Sequence, residues 1–326
     1  MIKRPGLLVI LVLGALAASL AVAAQPAGKV YRIGFLGAAS PSQLAGQMEG
    51  LRLGLRDLGY VEGKNITIEY RWAEGKYDRL PALATELVRL KVDLIITHGT
   101  PGSLAAKRAT ATIPIVMAVV GNPIETGIVA SLARPGGNIT GSSFFYPELN
   151  AKRLEMLKAA LPGLARVAVL LNPDNPANVS VMDAMEERAR AIKVKLRPVE
   201  ARRPDEIDSA LALAKAQTQA LAILEDALFV ANAQRIADLA MKNRLPSIGF
   251  KEYGEAGGLI AYAVDFPDIW RRSMSLVDKI FKGTKPQNLP IQQATRFELI
   301  VNLRTAKALG LTIPQSFLLR VDHVIE

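Results

Sequence analysis

The sequence predicts an α/β protein of two similar lobes, each a parallel sheet covered by helices, joined by a multi-stranded hinge. The first observation behind this is internal repetition. Val30-Tyr-Arg-Ile-Gly-Phe-Leu36 is matched by Arg166-Val-Ala-Val-Leu-Leu171, Asp93-Leu-Ile-Ile-Thr97 by Ala220-Leu-Ala-Ile-Leu224, and Ile113-Pro-Ile-Val-Met117 by Leu245-Pro-Ser-Ile-Gly249, at an offset of roughly 130 positions. The second is that short aliphatic runs alternate with longer amphipathic stretches from Val30 onward, the order of βαβ units. The third is size: 326 residues, 50% hydrophobic and 21% charged, suffice for two cores.

The first segment is set apart from that pattern. Lys3 and Arg4 precede an uninterrupted apolar run from Leu7 to Leu20, and Ala21-Val-Ala23 is a small-x-small site before polar Gln25-Pro26. This reads as a cleaved secretory leader over residues 1–24, with export to the periplasm as its consequence; the competing reading is a retained membrane anchor, since the apolar run approaches spanning length, and the alanine-rich end with Gln25-Pro26 favours cleavage. Its loss removes Lys3 and Arg4 and no acidic residue, so the formal charge falls from +10 to +8. The remaining positive charge is scattered, with Arg202-Arg203 and Arg271-Arg272 its densest pairs. No basic helix is interleaved with aromatics, which argues against a nucleic-acid partner. Cysteine is absent, which excludes disulfides, a thiol nucleophile and thiolate metal sites.

Element by element, Leu44, Met48, Leu51, Leu55 and Leu58 form one helical face. Ser40 as N-cap, Pro41 at the first position and Gln43 make a capping box before it, and Gly59 ends it. Thr100 and Pro101 open the next helix in the same way. Asn175 and Pro176 open another, with Val179, Met182, Met185, Ala189 and Ile192 as its buried stripe. The glycine-rich segment Arg134 to Gly141 marks the end of the first lobe. A helix from Pro267 to Phe281 buries Ile269, Ser273, Leu276, Val277 and Ile280, and Lys282-Gly-Thr-Lys-Pro286 breaks it. Crossings between lobes fall near Ser142, Ala263 and Leu289. They assign 30–142 and about 263–288 to lobe 1, and 143–262 and about 289–326 to lobe 2.

Three strands end in polar or glycine-containing turns that feed a capped helix: Gly37 to Pro41, His98 to Pro101, and Asn172 to Pro176. Their unpaired N–H groups form a receptor for a carboxylate. Ser40, Thr100 and Asn175 serve either that receptor or only their own helices. Asn122 follows the strand Pro114 to Val120, and Glu225-Asp226 follows Ala220 to Leu224. A carboxylate there pairs with an ammonium, so a zwitterion is a natural guest; Asp226 is equally placed to cap the helix through Ala231 and Ile236. Phe145 and Tyr262 lie near the crossings, to stack on a ligand or to fill the interlobe core.

Catalytic readings find little support. Only His98 and His323 are present, too few for a His-rich metal site. There is no Gly-x-Ser-x-Gly elbow, no P-loop at Gly59 to Asn65, and no dinucleotide fingerprint at Gly34 to Gly37. No cofactor is expected.

The stretch Gly121-Asn-Pro-Ile-Glu-Thr-Gly-Ile-Val-Ala-Ser-Leu-Ala-Arg-Pro-Gly-Gly-Asn-Ile-Thr-Gly141, with the strand Ile113 to Val120 before it and the tail Leu289 to Pro314, resembles the ABC-transporter substrate-binding proteins of the tryptophan/tyrosine-type family. The resemblance runs from about Tyr31 to the end. It implies a type I periplasmic binding protein of two Rossmann-like lobes that trap a small ligand by hinge closure, as a monomer, and deliver it to an inner-membrane permease driven by a separate ATPase. It implies ligand contacts at Ser40, Thr100, Asn122, Asn172, Asp226 and Tyr262. The family often has aspartate where Asn122 stands, glycine where Ala263 stands and tyrosine near Phe250, so the ligand is not copied from the family name. The reading is a non-catalytic exported binder of an amino-acid-like or carboxylate ligand. The alternatives are an enzyme on the same scaffold and a sensing module for a membrane receptor.

Overall fold

Two sheets of matching strand order, the second with one further edge strand, are connected three times in the computed structural model, which describes residues 29–326; the leader reading lies outside the described residues. In the first lobe β1 (Tyr31–Gly37), α1 (Ala45–Asp57), β2 (Ile66–Trp72), α2 (Leu80–Arg89), β3 (Leu94–Thr97), α3 (Gly99–Ala109), β4 (Ile115–Val120) and β5 (Ile139–Ser143) alternate along the chain. The second lobe contains α4 (Tyr146–Ala160), β6 (Arg166–Leu171), α5 (Asn178–Ala191), β7 (Lys195–Glu200), α6 (Ile207–Gln217), β8 (Ala220–Ile223), α7 (Ala227–Ala231), α8 (Ala233–Lys242), β9 (Ser247–Gly249), α9 (Lys251–Glu255) and β10 (Ile260–Val264). Then follow α10 (Phe266–Phe281), β11 (Gln292–Gln293), β12 (Phe297–Asn302), α11 (Leu303–Ala308), α12 (Gln315–Leu318) and β13 (His323–Ile325).

The sheet orders are β11-β5-β4-β3-β1-β2 and β13-β12-β10-β9-β8-β6-β7. The three repeated sequence segments therefore occupy equivalent places, β1 with β6, β3 with β8 and β4 with β9. Every residue of β3, β4 and β8 is buried, because helices cover both faces of a parallel sheet. One pairing departs from the parallel pattern: β12 re-enters from the other lobe and pairs antiparallel with β10, and β13 runs parallel to β12 beyond it.

The chain crosses after Ser143, after Val264 and after the β11 segment. The third crossing lies later than the sequence reading placed it. Gln292 and Gln293 pair with Ser142 and Ser143, and the Ala294 N–H donates to the Ser143 carbonyl, so residues 289–294 stay with the first sheet. Leu289 and Ile291 are buried there, which is why the turn-rich break at Lys282 to Pro286 does not mark the crossing.

α10 belongs to the first lobe and packs along α1. The glycines of α1 make this possible: a Cβ at Gly50 would lie 2.3 Å from the Pro267 carbonyl oxygen, and one at Gly54 2.3 Å from the Arg271 carbonyl oxygen. Gly54→Ala is expected to destabilise the protein by about 1–3 kcal/mol, because backbone must move to relieve the contact and alanine's helix preference recovers at most about 1 kcal/mol. Thermal unfolding measures it; an unchanged midpoint would refute the close approach.

Helix starts differ from their sequence signals. α1 begins at Ala45, after a turn, and Ser40 makes only half of the capping box: its N–H donates to Gln43 Oε1 at 2.8 Å, while its Oγ lies 3.1 Å from Ser42 Oγ. His98, not Thr100, stands in the cap position of α3, since the left-handed Gly99 already opens the helix. Pro176 forms a turn before α5, so Val179 falls on the outer face at 70% exposure while Val181, Met185 and Ala189 are buried.

Candidate ligand-binding site

The ends of β1, β3, β4 and β8 point into the space between the lobes, where the first lobe brings Ala38, Leu44, Gln47, Tyr77, His98, Thr100, Val119 and Trp270, and the second Tyr146, Asn175, Glu225, Asp226 and Val230. Phe144 and Phe266 enter from the crossings. The space free of protein atoms is about 750 Å³, part of it open to solvent. Its wall is mainly apolar and aromatic with a few polar groups, as small-ligand sites require.

The two adjacent acids differ in state. Glu225 is matched: Arg153, buried to 1% side-chain exposure, donates from Nη1 to Glu225 Oε2 at 2.6 Å and from Nη2 to Oε1. The same guanidinium donates from Nε to the Tyr262 carbonyl at 2.7 Å and from Nη1 to Asn150 Oδ1 at 3.0 Å. The Tyr146 hydroxyl donates to the Glu225 carbonyl at 2.6 Å. Among the described residues Asp226 has no cationic partner. Its Oδ1 accepts from Asn172 Nδ2 at 3.1 Å and from the Leu228 N–H at 3.0 Å, and its Oδ2 accepts from Asn175 Nδ2 at 3.2 Å. Burial pushes its carboxyl above the ordinary aspartate range, against the lowering effect of Asn172, the Leu228 N–H, the Tyr77 hydroxyl and Asn175. Asp226 thus caps α7 and still presents one unmatched acidic group to the cavity.

No lysine or arginine lines the cavity among the described residues. The positive partner for a ligand carboxylate is the N-terminus of α3, where Gly99, Thr100 and Pro101 form the wall. An unmatched acid on one lobe and a helix N-terminus on the other are complementary to the two ends of a zwitterion.

The lobes also touch directly across the cleft. Gln47 Nε2 in α1 donates to Glu252 Oε1 in α9 at 3.0 Å, and Asn122 Nδ2 lies 3.5 Å from Ser180 Oγ. Glu252 Oε2 is buried with no partner among the described residues, and burial, the largest cause, raises that carboxyl's pKa.

Of the residues singled out in the sequence, Thr100, Asn175 and Asp226 line the cavity. Asn172 stands behind Asp226 and orients it. Asn122 is at the rim, bonded to Glu125 at 2.7 Å and directed at the opposite lobe. Two are displaced. Ser40 lies outside the cavity wall, its polar atoms used within its own turn. The Tyr262 ring is not part of the cavity wall and stacks on Phe297 of β12, with centroids 5.9 Å apart. Phe144, not Phe145, is the buried aromatic at the first crossing: Phe145 adopts a left-handed φ of 55° to start α4 and is only partly buried. Gln47, Tyr77, His98, Phe266 and Trp270 were not identified as site residues from sequence. Phe266 and Trp270 stand four apart in the first turns of the helix that follows a crossing, which was a usable signal; Tyr77 sits in a 3-10 turn with none.

A pair of α/β lobes closed on a cavity with one unmatched acid is the architecture of a solute receptor. The chain belongs to the family of ABC transporter substrate binding proteins, whose model matches residues 37–325. It is similar to the tyrosine-binding protein of Clostridioides difficile (strain R20291), 28% identical over 264 residues that cover 81% of this chain and 76% of the relative. It is similar in structure to a conserved domain protein from Vibrio cholerae, with a TM-score of 0.86 at 28% identity over 91% of this chain and all of the other. A ligand-free, open substrate binding protein with adhesive properties from Clostridium difficile superposes with a TM-score of 0.66 at 25% identity, over 91% of this chain and 99% of the other. The family's role is binding a transported substrate, so the chain is a binding protein and not an enzyme.

Proposed function

We propose that this chain captures an α-amino acid with a largely apolar, aromatic side chain. The observation that carries this is the unmatched Asp226 facing, across an aromatic-lined cavity, the N-terminus of α3. The ammonium sits at Asp226, Asn175 and Tyr77, the carboxylate at the Gly99 and Thr100 end of α3, and the side chain among Phe144, Phe266 and Trp270. The name of the Clostridioides difficile relative supports an amino-acid ligand.

The loaded form is the closed one. The Gln47 to Glu252 hydrogen bond and the poorer superposition on the open relative than on the Vibrio protein of similar identity support closure here. Removal of the first 24 residues at the inner membrane would leave a periplasmic monomer that presents its closed lobes to a permease with a separate ATPase. No helix among the described residues is long and apolar enough to cross a membrane.

Thermal-shift screening of the mature chain against the proteinogenic amino acids, small organic acids and polyols tests this, since a ligand of the folded state raises the unfolding temperature. Aromatic L-amino acids are expected to give the largest rise. A rise with polyols or organic acids and none with amino acids would overturn the reading.

A further inference from the structure

One polar group of the cavity is left over when the zwitterion's two ends are placed. His98 ends β3, is 7% exposed and lines the cavity. Its Nε2 accepts the Ala38 N–H at 3.0 Å. Burial pushes its pKa down to about 4, so the ring is neutral at physiological pH and its one proton is on Nδ1. Among the described residues Nδ1 has no hydrogen-bond partner, and it is not one of the polar atoms sealed from solvent. Its N–H therefore meets the cavity. The neighbouring Trp270 Nε1 differs in being sealed without an acceptor, which leaves that indole a packing role.

Position assigns this donor to the ligand's side chain. Tyr77 and Pro101 line both the cavity and the surface groove between the lobes, so the Asp226 end is the outer one. The His98 ring lies at the inner end instead, 5.2 Å from Trp270 and 6.4 Å from Phe35 by ring centroids. Trp270 is one turn along α10 from Phe266, which follows the second crossing directly.

We infer that His98 is a specificity-determining residue that donates its Nδ1–H to an oxygen on the ligand's side chain, so that the site selects an aromatic amino acid bearing a ring hydroxyl over its unsubstituted counterpart. A donor that a bound ligand cuts off from water without offering an acceptor costs free energy, so the hydrocarbon ligand is penalised as well as the hydroxylated one rewarded. The inference rests on the amino-acid reading above.

Calorimetric titration with L-tyrosine and L-phenylalanine tests it, on the unmodified mature chain and on His98→Gln, which keeps an acceptor for the Ala38 N–H and removes the donor from the Nδ1 position. The unmodified chain is expected to bind L-tyrosine about tenfold more tightly, the effect of a single hydrogen bond of about 1.4 kcal/mol. In His98→Gln that ratio should fall to about one, because the reward to L-tyrosine is lost and the penalty on L-phenylalanine is lifted. Equal affinity for both ligands in the unmodified chain overturns the inference while leaving the amino-acid reading intact, and needs no variant to fold. Equal weakening of both ligands in His98→Gln also overturns it, because a purely structural role does that. If neither ligand nor any other α-amino acid binds, both readings fall.

Discussion

Asp226→Asn lowers affinity for the amino-acid ligand by about 30-fold or more, the loss expected when one partner of a buried charged contact is removed at a cost of about 2 kcal/mol or above. The substitution separates the two roles of this residue. Asparagine caps helices as well as aspartate does, so if Asp226 serves only α7, affinity and stability both stay unchanged. On the present account stability holds or rises, because a buried acid without a cation is replaced by a neutral group, while binding collapses.

The pH dependence has a matching sign. The folded-state pKa of Asp226 lies above the ordinary aspartate value, so its contribution to the stability of the empty protein is present at low pH and lost as pH rises through that raised pKa. The ligand needs the carboxylate, so affinity moves the opposite way and falls on acidification, beginning above the usual carboxylate range. Titrations across mildly acidic pH read this directly, and an affinity that is flat there in the unmodified chain would contradict it.

The second large effect is on folding. Arg153→Met leaves Glu225 buried and unpaired and frees the Tyr262 carbonyl, so a loss of about 3–5 kcal/mol is expected, a fall in melting temperature on the order of ten degrees. The double variant Arg153→Met with Glu225→Gln should recover most of it, since the charge to be compensated is gone. This cation joins three parts of the second lobe: α4 through Asn150, β10 through Tyr262 and the β8 end through Glu225. A single-variant loss below about 1 kcal/mol would show that the pair is no more than a surface-like contact.

Much of this architecture was legible in the sequence because it rests on periodicity. The repeated strands at Tyr31 and Arg166, Leu94 and Ala220, and Ile115 and Ser247 announce two equivalent sheets, since a buried parallel strand must be apolar on both faces. The acidic pair after β8 and Asn172 and Asn175 after β6 were legible as well, as polar residues at strand ends. Local signals misled where tertiary contacts took over. Ser40, Pro41 and Gln43 have the composition of a capping box, yet packing of Leu44 and Met48 sets the start of α1 later. Tyr262 is near a crossing in sequence, but its ring is taken up by stacking on Phe297 of the neighbouring strand. Arg153 gave no signal: a basic residue in a helix reads as solvated, and only the fold reveals that Glu225 lies within reach. His98 reads in the sequence as a scarce histidine at the start of a polar turn; its role depends on the Ala38 N–H, sixty residues away.

A structure of the mature chain with its tightest-binding amino acid is the most direct test of an interlobe receptor. The account predicts the ligand ammonium within hydrogen-bond distance of Asp226, its carboxylate at the first turn of α3, and its side chain among Phe144, Phe266 and Trp270. A ligand bound on the outer surface of either lobe, or one whose carboxylate lies toward Asp226, would contradict it.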